Sequence, residues 1–165
     1  MLVPPKLILA PTDFSAASVA AVDVAADLAS RFESILCLIH VVPMIPRLPA
    51  SISIFREGDY ERELHRDAEN RLSKISADIA TRGIQVEHEV GTANDVPMEI
   101  IRIAEHRRAD LIVIATHGAT GWNHLAFGSV AEKVVHVASC PVLMLRAAPK
   151  NIPAPESDTE PVEAS

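Results

Sequence analysis

Apolar and polar positions recur along this chain with two periods, one typical of strands and one typical of amphipathic helices. Short, nearly continuous apolar runs at residues 6–10, 35–42, 111–115 and 141–146 predict strands that are buried on both faces. Residues 84–90 instead alternate apolar with polar side chains, which predicts a half-exposed strand at a sheet edge. Because helical patterns separate these five strands, we predict an α/β domain with a single open, mostly parallel sheet and helices on both faces.

The predicted helices have ordinary start and stop signals. Ser15 is a suitable N-cap for a helix that runs to about residue 31. The next helix carries a stripe of apolar residues and is expected to stop at Gly83. Asn94 or Asp95 is expected to cap the third helix, with Pro97 in its first turn. These signals predict where the helices lie.

The most informative stretch of the sequence is a strand, a polar loop and a helix start at residues 111–129. Gly128 and Ser129 open a helical pattern, and Ser129 and Glu132 have the spacing of a capping box. The first backbone N–H groups of a helix have no intrahelical partner, and the helix dipole is positive at that end. This stretch therefore suits an anion such as a phosphate group.

The same stretch resembles the nucleotide-binding motif of the universal stress protein family. His117-Gly118, a spacer of nine residues and Gly128-Ser129 match that motif, except that Ala115 replaces its first glycine. The similarity covers roughly residues 5–146 and includes the order of the elements. It implies an adenine-nucleotide alpha-hydrolase-like sheet of order 3-2-1-4-5. Ligands in such sheets bind where the strand order reverses, between strands 1 and 4.

The resemblance also implies a ligand, ATP, with or without Mg²⁺. Family members contact the nucleoside at the position of Asp13 and pack adenine at the position of Val41, with phosphates on the glycine-containing loop. Without the resemblance, the same residues also suit a helix-capping aspartate, a core valine and an ordinary turn. The predicted nucleotide-binding residues are Pro11, Thr12, Asp13, Val41, Ile114, Ala115, His117, Gly118, Gly128, Ser129, Val130 and Ala131.

Three alternative functions are considered for this sequence. The first is a nucleotide-binding or sensing protein of the stress response. The second is a family member that has lost nucleotide binding and acts through dimerisation and partner contacts. Ala115, and Ala119 where many members carry Arg or Lys, separate these two. The third is an adenylyl transferase or ATP-pyrophosphatase, but such enzymes rely on H-x-G-H or S-G-G-x-D-S near the first strand, where this chain has P-T-D-F-S.

Composition and residue spacing indicate which partners, sites and location to expect. The chain has 165 residues and a net charge of −7, without a basic stripe, so nucleic acid is not an expected partner. Cys37 and Cys140 lack zinc or C-x-x-C spacing, and no metal site is predicted. The sequence has no signal peptide and no apolar run of membrane-spanning length, which predicts a cytoplasmic protein. No catalytic motif occurs, so the expected site binds its ligand without turnover.

The end of the chain predicts both a domain boundary and a partner. Residues 1–147 are expected to form the universal stress protein domain, and residues 148–165 an acidic, Pro- and Ala-rich disordered tail. The last strand presents Val142, Leu143, Met144 and Leu145 in succession, so both of its faces are apolar. Such an edge strand is an aggregation hazard if it is left open. We therefore expect a homodimer through this strand, as in many members of the family.

Overall fold

The computed structural model describes residues 3–44, 57–116 and 128–146. Strands and helices alternate along these residues, as the sequence predicts. In chain order they are β1 (Leu7–Pro11), α1 (Ala16–Phe32), β2 (Ile35–Pro43), α2 (Glu57–Ala80), β3 (Val86–Ala93), α3 (Val96–Arg107), β4 (Leu111–Ala115), α4 (Ser129–Val137) and β5 (Val142–Leu145).

The strands form one all-parallel sheet in the order β3-β2-β1-β4-β5, which confirms the predicted fold class and strand order. β1 is central, and it pairs with β2 on one side and with β4 on the other. The chain moves outward in one direction from β1 to β3 and in the other direction from β4 to β5. The carboxyl ends of β1 and β4 therefore lie side by side at the point where the order reverses.

Two apolar layers hold the helices against the sheet, one on each face. On the first face, Ile8 of β1 packs in a cluster with side chains of α1 and α2 such as Val22 and Leu72. On the second face, Leu9 packs in a cluster with side chains of α3 and α4 such as Ile103. Ile8 and Leu9 are both fully buried. Successive residues of β1 thus serve opposite layers, which is why its sequence is continuously apolar.

Three of the predicted helix ends are confirmed. The Ser15 hydroxyl accepts a hydrogen bond from the backbone N–H of Ser18 and caps α1. Asp95 caps α3 through the N–H of Met98, at 3.2 Å. Gly83, just beyond α2, has φ of +78°, a left-handed conformation that suits glycine after a helix.

The predicted start of α4 is wrong by one residue. Gly128, not Ser129, is the N-cap, with an extended backbone (φ −63°, ψ 141°). The Gly128 carbonyl accepts the first helical hydrogen bond, from Glu132, so Ser129 is already the first helical residue. Gly128 has no side chain with which to cap the helix. The first-turn N–H groups of α4 are therefore left for another acceptor.

Helix α1 packs on the sheet mainly through its alanines, and Val19 on the same helix is 37% exposed. Glu87 and Glu89 of β3 both pair with Arg107 of α3, and 41% and 34% of their side chains stay exposed. This agrees with the predicted half-exposed strand. β3 lies at the sheet edge as predicted, although it extends to Ala93.

Cys37 is buried, Cys140 is half-buried, and both are free thiols. In the described parts of the chain, no helix has the length and apolar character needed to cross a membrane. The predicted tail at residues 148–165 lies outside the described residues.

Candidate functional site

A cavity of about 240 Å³ lies at the carboxyl ends of β1 and β4. Its walls come from the strand ends, from the turn after β1, and from the first turns of α1, α3 and α4. The lining residues are Pro11, Thr12, Asp13, Ser18, His40, Val41, Val96, Ile100, Ile114, Ala115, Thr116, Gly128, Ser129, Val130 and Ala131. The cavity therefore occupies the place where the strand order reverses.

Ten of the predicted nucleotide-binding residues line this cavity. The other two, His117 and Gly118, lie outside the described residues, as does Ala119. The structure thus brings the two distant parts of the predicted site together, while the ligand itself stays a prediction. Sequence reasoning missed five lining residues, namely Ser18, His40, Val96, Ile100 and Thr116. Each of the five lies next to a predicted element end or about one helical turn from it. Closeness to an element end also identified their predicted neighbours, so the same signal could have found these five.

Buried hydroxyl groups fix the turn after β1. The Thr12 Oγ1 accepts a hydrogen bond from the Phe14 N–H at 3.0 Å and lies 2.9 Å from the Ser18 Oγ. The Ser18 hydroxyl donates to the carbonyl of Ser15 at 3.0 Å, which leaves its lone pairs to accept from Thr12. Thr12 and Ser18 are each only 5% exposed. Buried polar groups that are satisfied in this way hold one geometry.

Asp13 is the exposed residue of the same turn. Its Oδ1 accepts a hydrogen bond from the Ser15 N–H at 3.0 Å. The capping-type role, which was the simpler interpretation of Asp13, is therefore present. A carboxylate has two oxygens and several acceptor positions, so this bond is compatible with a contact to a ligand.

Phe14 completes the turn in a left-handed conformation, with φ of 63°. Its ring stacks on the His40 imidazole, with ring centres 4.5 Å apart and an interplanar angle of 29°. The His40 Nδ1 donates to the Thr12 carbonyl at 2.8 Å, because a carbonyl oxygen can only accept. The Arg71 guanidinium of α2 lies 4.1 Å from the centre of the Phe14 ring, within cation–π distance.

The opposite wall of the cavity is largely apolar. Val41, Ile100, Ile114 and Ala115 line it and are each less than 9% exposed. Apolar walls with a few polar groups are typical of sites for small organic ligands. Ala115 occupies the position of the family glycine and contributes its methyl group to this wall.

The first turn of α4 lines one part of the cavity. Its backbone N–H groups have no side-chain cap, and Ser129 is exposed beside them. Lys133 of α4 pairs with Asp95, the N-cap of α3, with 2.5 Å between Nζ and Oδ2. The hydrogen bond from Lys133, and next the one from the Met98 N–H, lower the pKa of Asp95 below its ordinary value. This pair links the start of α3 to α4.

In the part of the chain that the structure describes, no group of three His, Cys, Asp or Glu side chains is placed to hold a metal ion. The site chemistry of the described residues consists of hydroxyl groups, a carboxylate, an imidazole and helix-terminal amides.

The sequence model of the universal stress protein family matches residues 5–146. The chain belongs to the universal stress protein family. A universal stress protein of Methanocaldococcus jannaschii is 35% identical over 147 residues, covering 86% of this chain and 82% of that protein.

Solved structures of the family have the same fold. The structure of a second Methanocaldococcus jannaschii universal stress protein, described as a hypothetical protein whose biochemical function was assigned from structure, has a TM-score of 0.76 at 26% identity. That comparison covers 88% of this chain and 98% of the other. A universal stress protein from Archaeoglobus fulgidus in complex with dAMP has a TM-score of 0.57 at 21% identity, covering 87% and 98% of the two chains.

Proposed function

We propose that this universal stress protein binds ATP in the cavity between the ends of β1 and β4 and acts as a nucleotide-binding or sensing protein. The observation that carries the proposal is the pairing of an apolar wall with an uncapped helix N-terminus in one cavity. An adenine ring suits the wall around Val41, and the ribose suits Asp13. Phosphate groups suit the first-turn amides of Ser129 and Val130, next to the Gly128 N-cap, whose own N–H donates to the Thr116 carbonyl.

The size of the cavity agrees with this division. About 240 Å³ lies somewhat below the roughly 300–1,000 Å³ of complete small-molecule pockets. The cavity therefore suits the adenosine part, with the charged phosphates near the exposed start of α4. The dAMP complex of the Archaeoglobus fulgidus protein supports an adenine nucleotide as a ligand class that this fold accommodates.

A second function rests on Ala115. This residue places a methyl group in the cavity wall where the family motif has glycine. If that methyl group prevents close approach of the ligand, the protein acts through dimerisation and partner contacts without nucleotide. Ala115→Gly distinguishes the two functions, because it should strengthen ATP binding only slightly if the site already works and should create binding if the methyl group blocks it.

The proposed role is binding and not catalysis. The sequence has none of the motifs of nucleotide-using enzymes, such as H-x-G-H or S-G-G-x-D-S near the first strand, where this chain has P-T-D-F-S. We expect ATP turnover far below roughly 1 per second, the lower end of ordinary enzyme rates.

Titration calorimetry with ATP and Mg²⁺ tests the proposal, with Ser129→Asp as the decisive variant. A carboxylate at the first helical position interacts favourably with the helix dipole but repels phosphates. The affinity for ATP should therefore fall about tenfold or more while the fold is retained. Ser129→Asn is the matched neutral control and should bind nearly as the natural protein does. Gly128→Val, which crowds the same amides, should abolish binding with an unchanged circular dichroism spectrum.

Two results would contradict the proposal. One is the absence of binding heat at millimolar ATP with the natural, folded protein. The other is equal affinity in Ser129→Asp and Ser129→Asn, which would place the phosphates away from α4.

A further inference from the structure

We propose that Phe14, clamped between His40 and Arg71, positions the turn of Thr12 and Asp13 for the ligand, so that α2 helps to set the affinity of the cavity. The inference rests on the proposed function, because it assigns positioning residues to the same site.

The backbone of Phe14 shows that this turn is held by its surroundings. Among the described residues, Phe14, Glu33 and Arg108 are the non-glycine residues with positive φ. Glu33 and Arg108 are the C-caps of α1 and α3, where a left-handed residue is common. Phe14 instead lies between a strand and a helix N-cap, in the turn that is bonded locally by the Thr12 and Asp13 side chains. Bulky residues rarely adopt a left-handed conformation, and they do so where packing enforces it.

Three contacts enforce the conformation of Phe14. Its N–H donates to the Thr12 hydroxyl at 3.0 Å, its ring stacks on His40 at 4.5 Å, and the Arg71 guanidinium lies 4.1 Å from its ring centre. His40 also donates from Nδ1 to the Thr12 carbonyl at 2.8 Å. One imidazole ring therefore holds the Phe14 side chain and the backbone of a residue that lines the cavity.

The arrangement connects the two faces of the sheet. Phe14 packs with the apolar cluster under α1 and α2. The cavity walls formed by Val41, Ile100 and Ile114 belong to the cluster under α3 and α4. Arg71 thus supports, from the α2 face, a turn whose Thr12 and Asp13 line the cavity on the other face. A change that moves Arg71 off the ring would release the turn and weaken the nucleoside contacts.

The test compares three ligands that use different parts of the site. Adenosine depends on the turn, pyrophosphate depends on the α4 amides, and ATP depends on both. For Phe14→Leu and Arg71→Met, we expect affinity for adenosine and ATP to fall about fivefold to tenfold, with pyrophosphate binding unchanged. Arg71→Lys keeps the positive charge and should lose less than Arg71→Met. A purely structural role would not separate adenosine from pyrophosphate.

Ile79→Val is the control for general loss of stability. Ile79 is 2% exposed in the same apolar cluster but lies away from the cavity lining, so this variant should unfold more readily and bind all three ligands normally. The inference is overturned if Phe14→Leu binds adenosine as tightly as the natural protein, or if all three affinities fall together. If the natural protein binds neither ATP nor adenosine, the proposed function itself fails, and the inference fails with it.

Discussion

Gly91, in the edge strand β3, leaves little room for a side chain. A Cβ atom there would lie 3.1 Å from the Glu99 Cγ and 3.2 Å from the Ile103 Cδ1. Glu99 cannot move aside freely, because Arg102 donates two hydrogen bonds to it, at 2.8 and 2.7 Å. We expect Gly91→Ala to lower the free energy of unfolding by about 1–3 kcal/mol, as measured by urea denaturation.

The Arg102→Ala background provides the control for Gly91→Ala. Without Arg102, the Glu99 side chain is free to swing away, so the added methyl group should cost measurably less stability. The same cost in both backgrounds would show that the clash with Glu99 is not the cause.

The two cysteines should be poor nucleophiles in the folded protein. Burial raises the pKa of the Cys37 thiol. Partial burial also raises the pKa of the Cys140 thiol. Since only the thiolate reacts, iodoacetamide at pH 8 should leave Cys37 unmodified and alkylate Cys140 slowly. Both should react fully in urea. Rapid native alkylation of Cys37, detected by mass spectrometry, would contradict its burial.

At the scale of single residues, the sequence predicted candidates better than roles. Ser and Gly are both acceptable N-caps, so the spacing of Ser129 and Glu132 did not decide whether Gly128 or Ser129 is the N-cap. His40 escaped prediction because its role depends on the Phe14 ring and the Thr12 carbonyl, which are distant along the chain. Periodicity carries no information about such contacts.

An ion pair links the N-cap of α3 to Lys133 of α4, with a predictable effect of pH. The Asp95 carboxylate caps α3 and accepts from Lys133, and both bonds lower its pKa in the folded state. A lowered pKa means that the group stabilises the fold at pH values above its ordinary pKa of about 3.9. This stabilisation should be lost as the pH falls through the lower value of the folded state.

Asp95→Asn isolates that effect, because asparagine caps a helix as well as aspartate does but carries no charge. The variant should be less stable than the natural protein at pH 7, and the difference should disappear in acid. Lys133→Met should have the same direction of effect, and the two substitutions together should cost less than their sum. Urea denaturation at pH 7 and in acid measures this, and a stability difference that persists in acid would exclude the charge as its source.

Whole elements were predicted most accurately where the sequence pattern has a single interpretation. The observed bounds of β4 are those predicted, because five apolar residues between polar ones admit few alternatives. The half-exposed character of β3 was also predicted, but its ion pairs were not, since alternation alone does not show that Arg107 of α3 reaches Glu87 and Glu89.

At the scale of the whole molecule, the alternation of strands and helices is sufficient to predict a parallel α/β sheet. The order of its strands is not, because several right-handed arrangements satisfy the same pattern. The resemblance to the universal stress protein family supplied the order, and the order in turn placed the ends of β1 and β4 together. The cavity follows from that topology, which explains why residues about 100 positions apart line it jointly.

The last prediction is a homodimer through β5, the strand at one edge of the described sheet. Val142 and Met144 pack against the cluster under α3 and α4, and Leu145 packs against the opposite cluster, whereas Leu143 is 36% exposed. Leu143 is therefore the side chain to test, because replacing Leu145 would also disturb the core. Sedimentation equilibrium at micromolar concentration should show a dimer, and Leu143→Lys should shift it to monomer by burying a charge at a two-fold contact. Val24→Lys changes an equally exposed side chain on α1 and should leave the dimer intact. A monomeric natural protein would contradict this prediction, and so would a Leu143→Lys variant that stays dimeric while folded. Either result would place the edge of β5 in solvent instead.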